Sequence, residues 1–320
     1  MVQYTILSTS PTFTRYSGRA ASILKENNCS LVMIPPNDLR QRTDFKSVLS
    51  EAHAWVVGIN KVYAEDLECA PNLKLIIKHG TGVDSIDLKA AAAKGITVAN
   101  APGTNANSVA DLAFGFILGL ARQIVSADKR TRGGFWGPIM GQDVFGKTIG
   151  VLGLGQIGKG VIRRAKGFGM NVLGYDVVHD EAFEEQYGVR AATLDEIMSS
   201  SDYISVHLPL FESTRNIIDR EQLEKMRSTA FIVNTSRGGV VNEAALYDLL
   251  SKKRIAGAAL DVFKTEPPTL SPFFELDNVI VAPHMGAYTE GAMGAISEIV
   301  SQSIVNVIDG KPPMFEVKSN

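Results

Sequence analysis

Three glycines in VLGLGQIG, Gly153, Gly155 and Gly158, follow an apolar run and precede a helical pattern that begins near Gln156. In that setting a GxGxxG spacing can receive an anion. The first glycine permits a tight turn, the second lets backbone approach a pyrophosphate, and the third allows close packing of the helix. The helix N-terminus adds partial positive charge. With 29 glycines in the chain such a spacing also arises by chance, so alone it leaves a plain turn and a cofactor loop as equals. Asp176 decides between them. It ends the next apolar run, NVLGYD, 18 residues past Gly158, where an acidic side chain meets adenosine ribose hydroxyls. A carboxylate there repels the additional phosphate of NADP, and Val177 and Val178 bring no arginine to offset it, so the expected cofactor is NAD.

A second set is dispersed. Arg237 in NTSRGG, Glu266 in LDVFKTEPP and His284 in APHMGA each follow a strand-like run, and strand C-terminal ends are where open α/β sheets bind ligands. Arginine can hold a carboxylate with two parallel charge-assisted hydrogen bonds. Histidine can exchange a proton with an alcohol or carbonyl near neutral pH, and a glutamate beside it would stabilise the imidazolium. Taken singly, each has a plainer role: Arg237 as a strand-end cap, Glu266 on a solvated turn, His284 as a satisfied buried histidine. His53, His179 and His207 have no convincing acid partner nearby in sequence and read as structural or surface residues, with His207 able to line a cofactor cleft. The loop KHGTGVD, from Lys78 to Asp84, exposes amides that can bind a carboxylate. From spacing alone a strand-to-helix turn is the favoured reading of it.

These side chains need rigid elements to hold them. Short apolar runs alternate with longer helical patterns, the mark of parallel βα units whose helices cover the sheet, so the fold class is α/β. YTILS, SLVMIP, AWVVG, LKLIIKH and GITVAN read as strands of a first open sheet, with helices starting from Arg15, Thr43, Ala64 and Asp87. ANSVADLAFGFILGLARQIVSADKRT reads as one helix, able to bridge two domains, capped by Asn105 or Asn107 and stopped by Gly133 and Gly134. A second, larger sheet runs through KTIGVLGLG, NVLGYD, YISVHL, AFIVNT, AGAALD and NVIVAP. The amphipathic stretch from Glu290 to Asp309 comes too late to open another sheet and is expected to pack back on the first. The predicted domains are therefore 1–103 with 289–320, and 104–288.

Composition sets outer bounds. A chain of 320 residues exceeds the usual single domain, which favours two cores. Apolar residues at 45% and charged residues at 21% match an ordinary globular protein rather than a disordered or membrane one. A net charge of -2 and a pI near 6.2 give no global attraction for nucleic acid or an anionic membrane. Cys29 and Cys69 form no CxxC pair, so neither a metal site nor a disulfide framework is expected. The N-terminal MVQYTILSTS lacks the pattern of a secretory signal, and a cytoplasmic location is expected.

Taken together, HGTGVDSIDLKAAAAKGITVANAPGTNANSVADLAFGFILGLAR, VLGLGQIG, HLPLFESTRNIID, NTSRGGVVNEAAL, GAALDVFKTEPP and APHMGA resemble the D-isomer-specific 2-hydroxyacid dehydrogenase family, from about Leu67 to Gly291. The overall look is similar to phosphoglycerate dehydrogenases and their relatives. The resemblance implies two Rossmann-like doubly wound parallel-sheet domains with an active-site cleft between them, and a homodimer formed through the cofactor domain. It implies reversible hydride transfer between NAD(H) and a small 2-keto or 2-hydroxy acid. Arg237 then binds the substrate carboxylate and keto oxygen, His284 is acid and base, and Glu266 orients it. The family's cofactor contacts fall on Thr81, Gln156, Ile157, Asp176, Leu208, Thr235 and Ser236 beside the three glycines, with Asp261 near the nicotinamide amide. Its substrate loop maps onto Lys78, His79, Gly80, Gly82 and Val83.

Departures from the phosphoglycerate dehydrogenase pattern bear on the substrate. Gly58 and Ile59 replace an expected Arg-Ser, removing one cation for a substrate phosphate, for which Lys61 or Lys78 would have to substitute. His79 stands where a small alanine is usual, so a bulkier and more polar pocket mouth is expected. With Asn320 as the last residue, the regulatory domains of some phosphoglycerate dehydrogenases are not expected. The substrates left open are phosphohydroxypyruvate, hydroxypyruvate, glyoxylate and sugar-derived keto acids. A different class, an NAD-sensing corepressor-like binding protein, also resembles this family.

Overall fold

The computed structural model describes residues 3–35, 39 and 41–318. The chain divides into two compact units, the first made of 1–105 with 287–320 and the second of 106–286.

The first unit is built on five strands, β1 (Tyr4–Ser8), β2 (Cys29–Met33), β3 (Ala52–Val57), β4 (Leu75–Lys78) and β5 (Thr97–Ala99). Helices α1 (Gly18–Glu26), α2 (Phe45–Glu51), α3 (Ala64–Glu68) and α4 (Leu88–Ala93) connect them. The sheet is parallel in the order β2-β1-β3-β4-β5, so the direction of winding reverses between β1 and β3. Side chains alternate across it. In β3, Ala54 and Val56 face one core with Ile6, Leu75 and Ile77, while Trp55 and Val57 face another with Leu7, Leu49 and Ile76. A strand buried on both faces reads as an unbroken apolar run, which is why AWVVG is legible as one.

The second unit opens with α5 (Ala106–Ala121) and α6 (Ile124–Arg132). Its sheet comprises β6 (Thr148–Leu152), β7 (Asn171–Tyr175), β8 (Val189–Ala191), β9 (Tyr203–Val206), β10 (Phe231–Asn234), β11 (Gly257–Leu260) and β12 (Val279–Val281). The intervening helices are α7 (Gln156–Gly167), α8 (Glu181–Tyr187), α9 (Leu194–Ser200), α10 (Arg220–Glu224) and α11 (Glu243–Ser251). The order is β12-β11-β10-β9-β6-β7-β8, all parallel, the doubly wound arrangement with its switch point between β6 and β9. The last helix, α12 (Glu290–Ile308), belongs to the first unit, where Met293, Ile296, Val300 and Ile304 fill the face of the sheet beside α1. Thr289 caps it by accepting from the Ala292 amide at 3.3 Å.

Two expectations are corrected. The stretch from 106 to 132 is not one helix bridging domains. It bends by 60° between α5 and α6, both in the second unit. The cause is tertiary: the Ala121 carbonyl accepts from the Gln142 amide at 2.7 Å, and Gln123, in the left-handed region at φ 52°, donates its side chain to the Met140 carbonyl at 2.6 Å. The sheet also has a seventh strand, β8, whose sequence VRA carries no apolar run.

The register matters most for function. Leu152 pairs with both Tyr175 and Val206, Val206 with Asn234, Asn234 with Leu260, and Leu260 with Val281. Six strands therefore end level, and the residues that follow them share one edge of the sheet.

Trp55 is fully buried and donates from its indole to Thr9 Oγ1 at 3.2 Å. Replacing it by Ala is expected to destabilise the first unit by about 3–5 kcal/mol, read in urea unfolding followed by circular dichroism.

Candidate functional site

At the C-terminal end of β6 the chain turns on Gly153, φ +97°, whose added Cβ would lie 2.8 Å from the His207 carbonyl carbon and oxygen. A Cβ on Gly158 would lie 1.9 Å from the Gly153 carbonyl oxygen, so only glycine lets α7 start this close to the turn. Gly155 differs. Its Cβ would meet nothing within 4 Å, so its exposed backbone faces open space, and no side chain caps α7. Gln156 is exposed beside it and Ile157 half-buried. Asp176, directly after β7, accepts from the Leu154 amide at 2.6 Å through Oδ2 and from the Val177 and Val178 amides at 2.7 and 3.2 Å through Oδ1. The acidic group is thus tied to the glycine turn. Val177 and Val178 stand exposed next to it.

On the other side of the switch point, Leu208 is buried, and Thr235 and Ser236 are buried at the end of β10. The His207 ring bonds Ser205 Oγ at 2.8 Å and lies 3.5 Å from Thr235 Oγ1, and burial pushes its pKa down to about 3. It stays neutral at physiological pH.

Arg237, Glu266 and His284 lie beyond the ends of β10, β11 and β12. The His284 Nδ1 and Glu266 Oε2 are 2.7 Å apart, and Glu266 Oε1 accepts from the Phe263 amide at 3.0 Å. Burial works to raise the Glu266 pKa, but the hydrogen bond and charge of His284, the Phe263 amide and the charge of Arg237 together hold it below the ordinary carboxylate value. Glu266 is therefore ionised at neutral pH. The half-buried Arg237 donates from Nη1 to the Ser236 carbonyl at 2.8 Å.

Several residues that position this set carry no conspicuous sequence signal. Asn234 accepts from both the amide and the hydroxyl of Ser236, at 3.0 and 2.8 Å, and donates to the Arg237 carbonyl at 3.0 Å. Gly238 packs on backbone: a Cβ there would lie 2.0 Å from the Phe263 carbonyl carbon, so the arginine turn rests directly on the segment leading to Glu266. Asp261, 1% exposed, accepts from the amides of Met285 and Gly286 at 2.8 and 2.9 Å, and its carbonyl accepts from the His284 amide at 2.8 Å. These bonds hold His284 in the left-handed region at φ 52°. The Asp261 carboxylate, expected near the nicotinamide amide, is engaged with this turn.

The loop expected to hold substrate lies in the first unit, after β4. Gly80 (φ +155°) is buried, Gly82 and Val83 are half-buried, and Thr81 is exposed with Oγ1 3.3 Å from Asn105 Oδ1. Lys78 Nζ donates to the Gly58 carbonyl at 2.5 Å and to Ser85 Oγ at 3.2 Å. A Cβ on Gly58 would lie 2.9 Å from the Thr9 carbonyl oxygen, so an arginine could not stand there without moving the end of β1. His79 departs from expectation. The residue is 8% exposed, its ring turned into its own unit with both nitrogens engaged, because Ser10, Thr12 and Ser297 supply buried polar partners. It does not make a bulky, polar mouth. His179, read as lacking an acid partner, bonds Glu184 at 2.9 Å, five residues on.

Residues 114–286 match the model of the D-isomer specific 2-hydroxyacid dehydrogenase NAD binding domain. The chain is 42% identical to a glyoxylate reductase of Korarchaeum cryptofilum over 78% of its own length and 77% of that protein. It is 45% identical to a D-3-phosphoglycerate dehydrogenase of Methanocaldococcus jannaschii over 78% of its length, a match spanning only 48% of that longer protein. Among solved structures it is similar to a D-lactate dehydrogenase of Aquifex aeolicus complexed with NAD and lactic acid, at 29% identity and a TM-score of 0.80, covering 96% of each chain.

Burial, with the Lys78 charge adding to it, pushes His79 from the usual 6.5 down to about 4. Between those values the unfolded chain holds the extra proton, so stability is complete above pH 6.5 and lost as pH falls toward 4. The expected loss is roughly 3 kcal/mol. Calorimetric melts from pH 7.5 to 4 should show it, and His79→Gln should flatten the decline. An unchanged slope in that variant would remove His79 as its source.

Proposed function

The chain belongs to the D-isomer-specific 2-hydroxyacid dehydrogenase family, and from that premise we propose that it is an NAD-dependent oxidoreductase interconverting a small 2-keto acid and its D-2-hydroxy acid. The observation that carries the reading is the 2.7 Å pair of His284 and Glu266 on the same sheet edge as the glycine turn. The turn fits a dinucleotide: Gly155 leaves open the space a side chain would fill, the start of α7 is uncapped, and Asp176, bonded to the turn at Leu154, would meet the ribose hydroxyls. Gly153, Gly155, Gly158, Gln156, Ile157 and Asp176 would hold the cofactor, with Leu208, Thr235 and Ser236 completing its contacts in this unit. NAD, when bound, supplies or accepts the hydride at the substrate carbon.

The protein's own groups do the rest. Arg237 binds the α-carboxylate through its guanidinium fork. Glu266, ionised, faces Nδ1 of His284, which leaves Nε2 to exchange a proton with the substrate oxygen. In reduction Nε2 delivers that proton to the keto oxygen, and in oxidation it removes the proton of the hydroxyl. Asp261 acts on the chemistry through the turn that orients His284. In the first unit, the loop of Gly80, Gly82 and Val83 is read as substrate-binding, its backbone amides being suited to a carboxylate. Unphosphorylated acids such as glyoxylate and hydroxypyruvate are favoured over phosphohydroxypyruvate, because Gly58 brings no cation and Lys78 is engaged by the Gly58 carbonyl and Ser85, which leaves Lys61 alone of the two lysines to meet a phosphate. Free Cys29 and Cys69 suit the cytoplasm as its location.

A homodimer through the second unit accompanies this reading. No residue of α6 is buried, and Ile124, Val125, Trp136, Met140 and Phe145 are all more than half exposed along one stretch of that unit. A second copy of the chain covering them would remove an apolar surface that a monomer seldom carries.

Steady-state assays with a panel of these acids and NADH test the substrate. Arg237→Ala is expected to lower kcat/KM on the order of 10²–10³-fold while NADH binding, followed by fluorescence, stays intact. Normal turnover in that variant would end the assignment. Sedimentation is expected to give a dimer that Trp136→Asp weakens, and a wild-type monomer would rule the dimer out.

A further inference from the structure

His79 stands at the end of β4, where its amide donates to the Val57 carbonyl at 2.9 Å and continues the ladder with β3. The chain beyond it is fixed on one side by the segment after β5. Ala101 donates to the Gly80 carbonyl at 2.9 Å, and the Asn100 side chain donates to the Thr81 carbonyl at 2.7 Å. The other anchor is the ring of His79.

Nε2 lies 2.9 Å from Ser297 Oγ on α12. Ser297 gives its own proton to the Met293 carbonyl at 2.7 Å, so toward the ring it can only accept, and the imidazole proton sits on Nε2. Nδ1 is then an acceptor. It faces Ser10 Oγ at 3.0 Å and Thr12 Oγ1 at 3.4 Å, and those two hydroxyls are 3.2 Å from each other. The result is a one-directional chain from Thr12 through Ser10, His79 and Ser297 to the Met293 carbonyl, in which each bond polarises the next. Phe13 packs against the ring edge-on, centroids 5.7 Å apart. Every side chain in the chain is buried.

We infer that His79 is a positioning residue for the substrate carboxylate, locking Gly80 to Val83 between the turn after β1 and the terminal helix. The inference rests on the reading of that loop as substrate-binding. The turn contributes Ser10 and Thr12, the helix contributes Ser297, and only a side chain with a donor and an acceptor on opposite sides of a flat ring joins both. An apolar ring of similar size would fill the space but leave the Ser10 hydroxyl without its acceptor. The loop would then lose its fixed distance from the rest of the unit, and substrate binding would weaken before the chemical step did.

The experiment compares His79→Phe, His79→Gln and Gly80→Ala in the full-length protein. For His79→Phe, KM for the keto acid is expected to rise about tenfold with kcat little changed and NADH affinity unaltered. His79→Gln, which keeps a donor near the Nε2 position, should recover part of that rise. Gly80→Ala distorts the loop directly and should raise KM by itself. If Gly80→Ala raises KM but His79→Phe lowers only the melting temperature, or if the Gln and Phe variants are equally impaired, the inference falls while the reading of the loop stands. If neither Gly80→Ala nor His79→Phe moves KM, the reading of the loop falls and takes the inference with it. Should His79→Phe not fold, Ser297→Ala removes only the acceptor of Nε2 and is expected to raise KM about threefold, and an unchanged KM there would overturn the inference.

Discussion

The level ending of six parallel strands in the second unit is the constraint on which the rest of the site depends. Val281, Leu260, Asn234, Val206, Leu152 and Tyr175 are joined in one continuous register. A slip of one residue in any of them would exchange its two faces and send its terminal side chain the wrong way. The register is enforced by burial on both sides: Ile232 belongs to one core and Val233 to the other, as do Ile204 and Tyr203. The packing that stabilises the unit is therefore the same packing that sets the glycine turn, Asp176, Arg237, Glu266 and His284 on one edge.

On that edge, backbone does much of the positioning. Gly158 meets the Gly153 carbonyl and Gly238 meets the Phe263 carbonyl at separations that leave no room for a Cβ. Asp261 and Asn234, both buried, use their side chains to tie neighbouring amides and carbonyls. The groups proposed to do the chemistry are mounted on a frame with little slack, which suits a reaction that needs a proton donor and a carboxylate anchor at fixed separation.

How much of this was legible in the chain depends on how local each cause is. Strands buried on both faces show as apolar runs, so ten of the eleven runs read as strands have both ends within two residues of where they were placed, and KTIGVLGLG is shortened to Thr148–Leu152, its last three residues forming the glycine turn. The strand β8 escaped because Arg190 and Ala191 are exposed and leave no such run. The break after Ala121 was invisible because its cause sits at Met140 and Gln142, across a loop. The direction of the His79 ring was equally hidden, since its partners are 69 and 218 residues away. His179 and Glu184 were close enough to be read and were missed. Arg237, Glu266 and His284 are bland one at a time, and only folding brings the last two to 2.7 Å.

The return of α12 to the first unit has a consequence for how the chain is made. As it leaves the ribosome, residues 3–105 can pair their strands, but Ile6, Ala54, Leu75 and Ile77 wait for Met293, Ile296, Val300 and Ile304. Through that interval the entire second unit is synthesised, with a contiguous sequence and a core of its own. The nascent first unit must hold a bare apolar face throughout, and the unit that begins second is positioned to finish first.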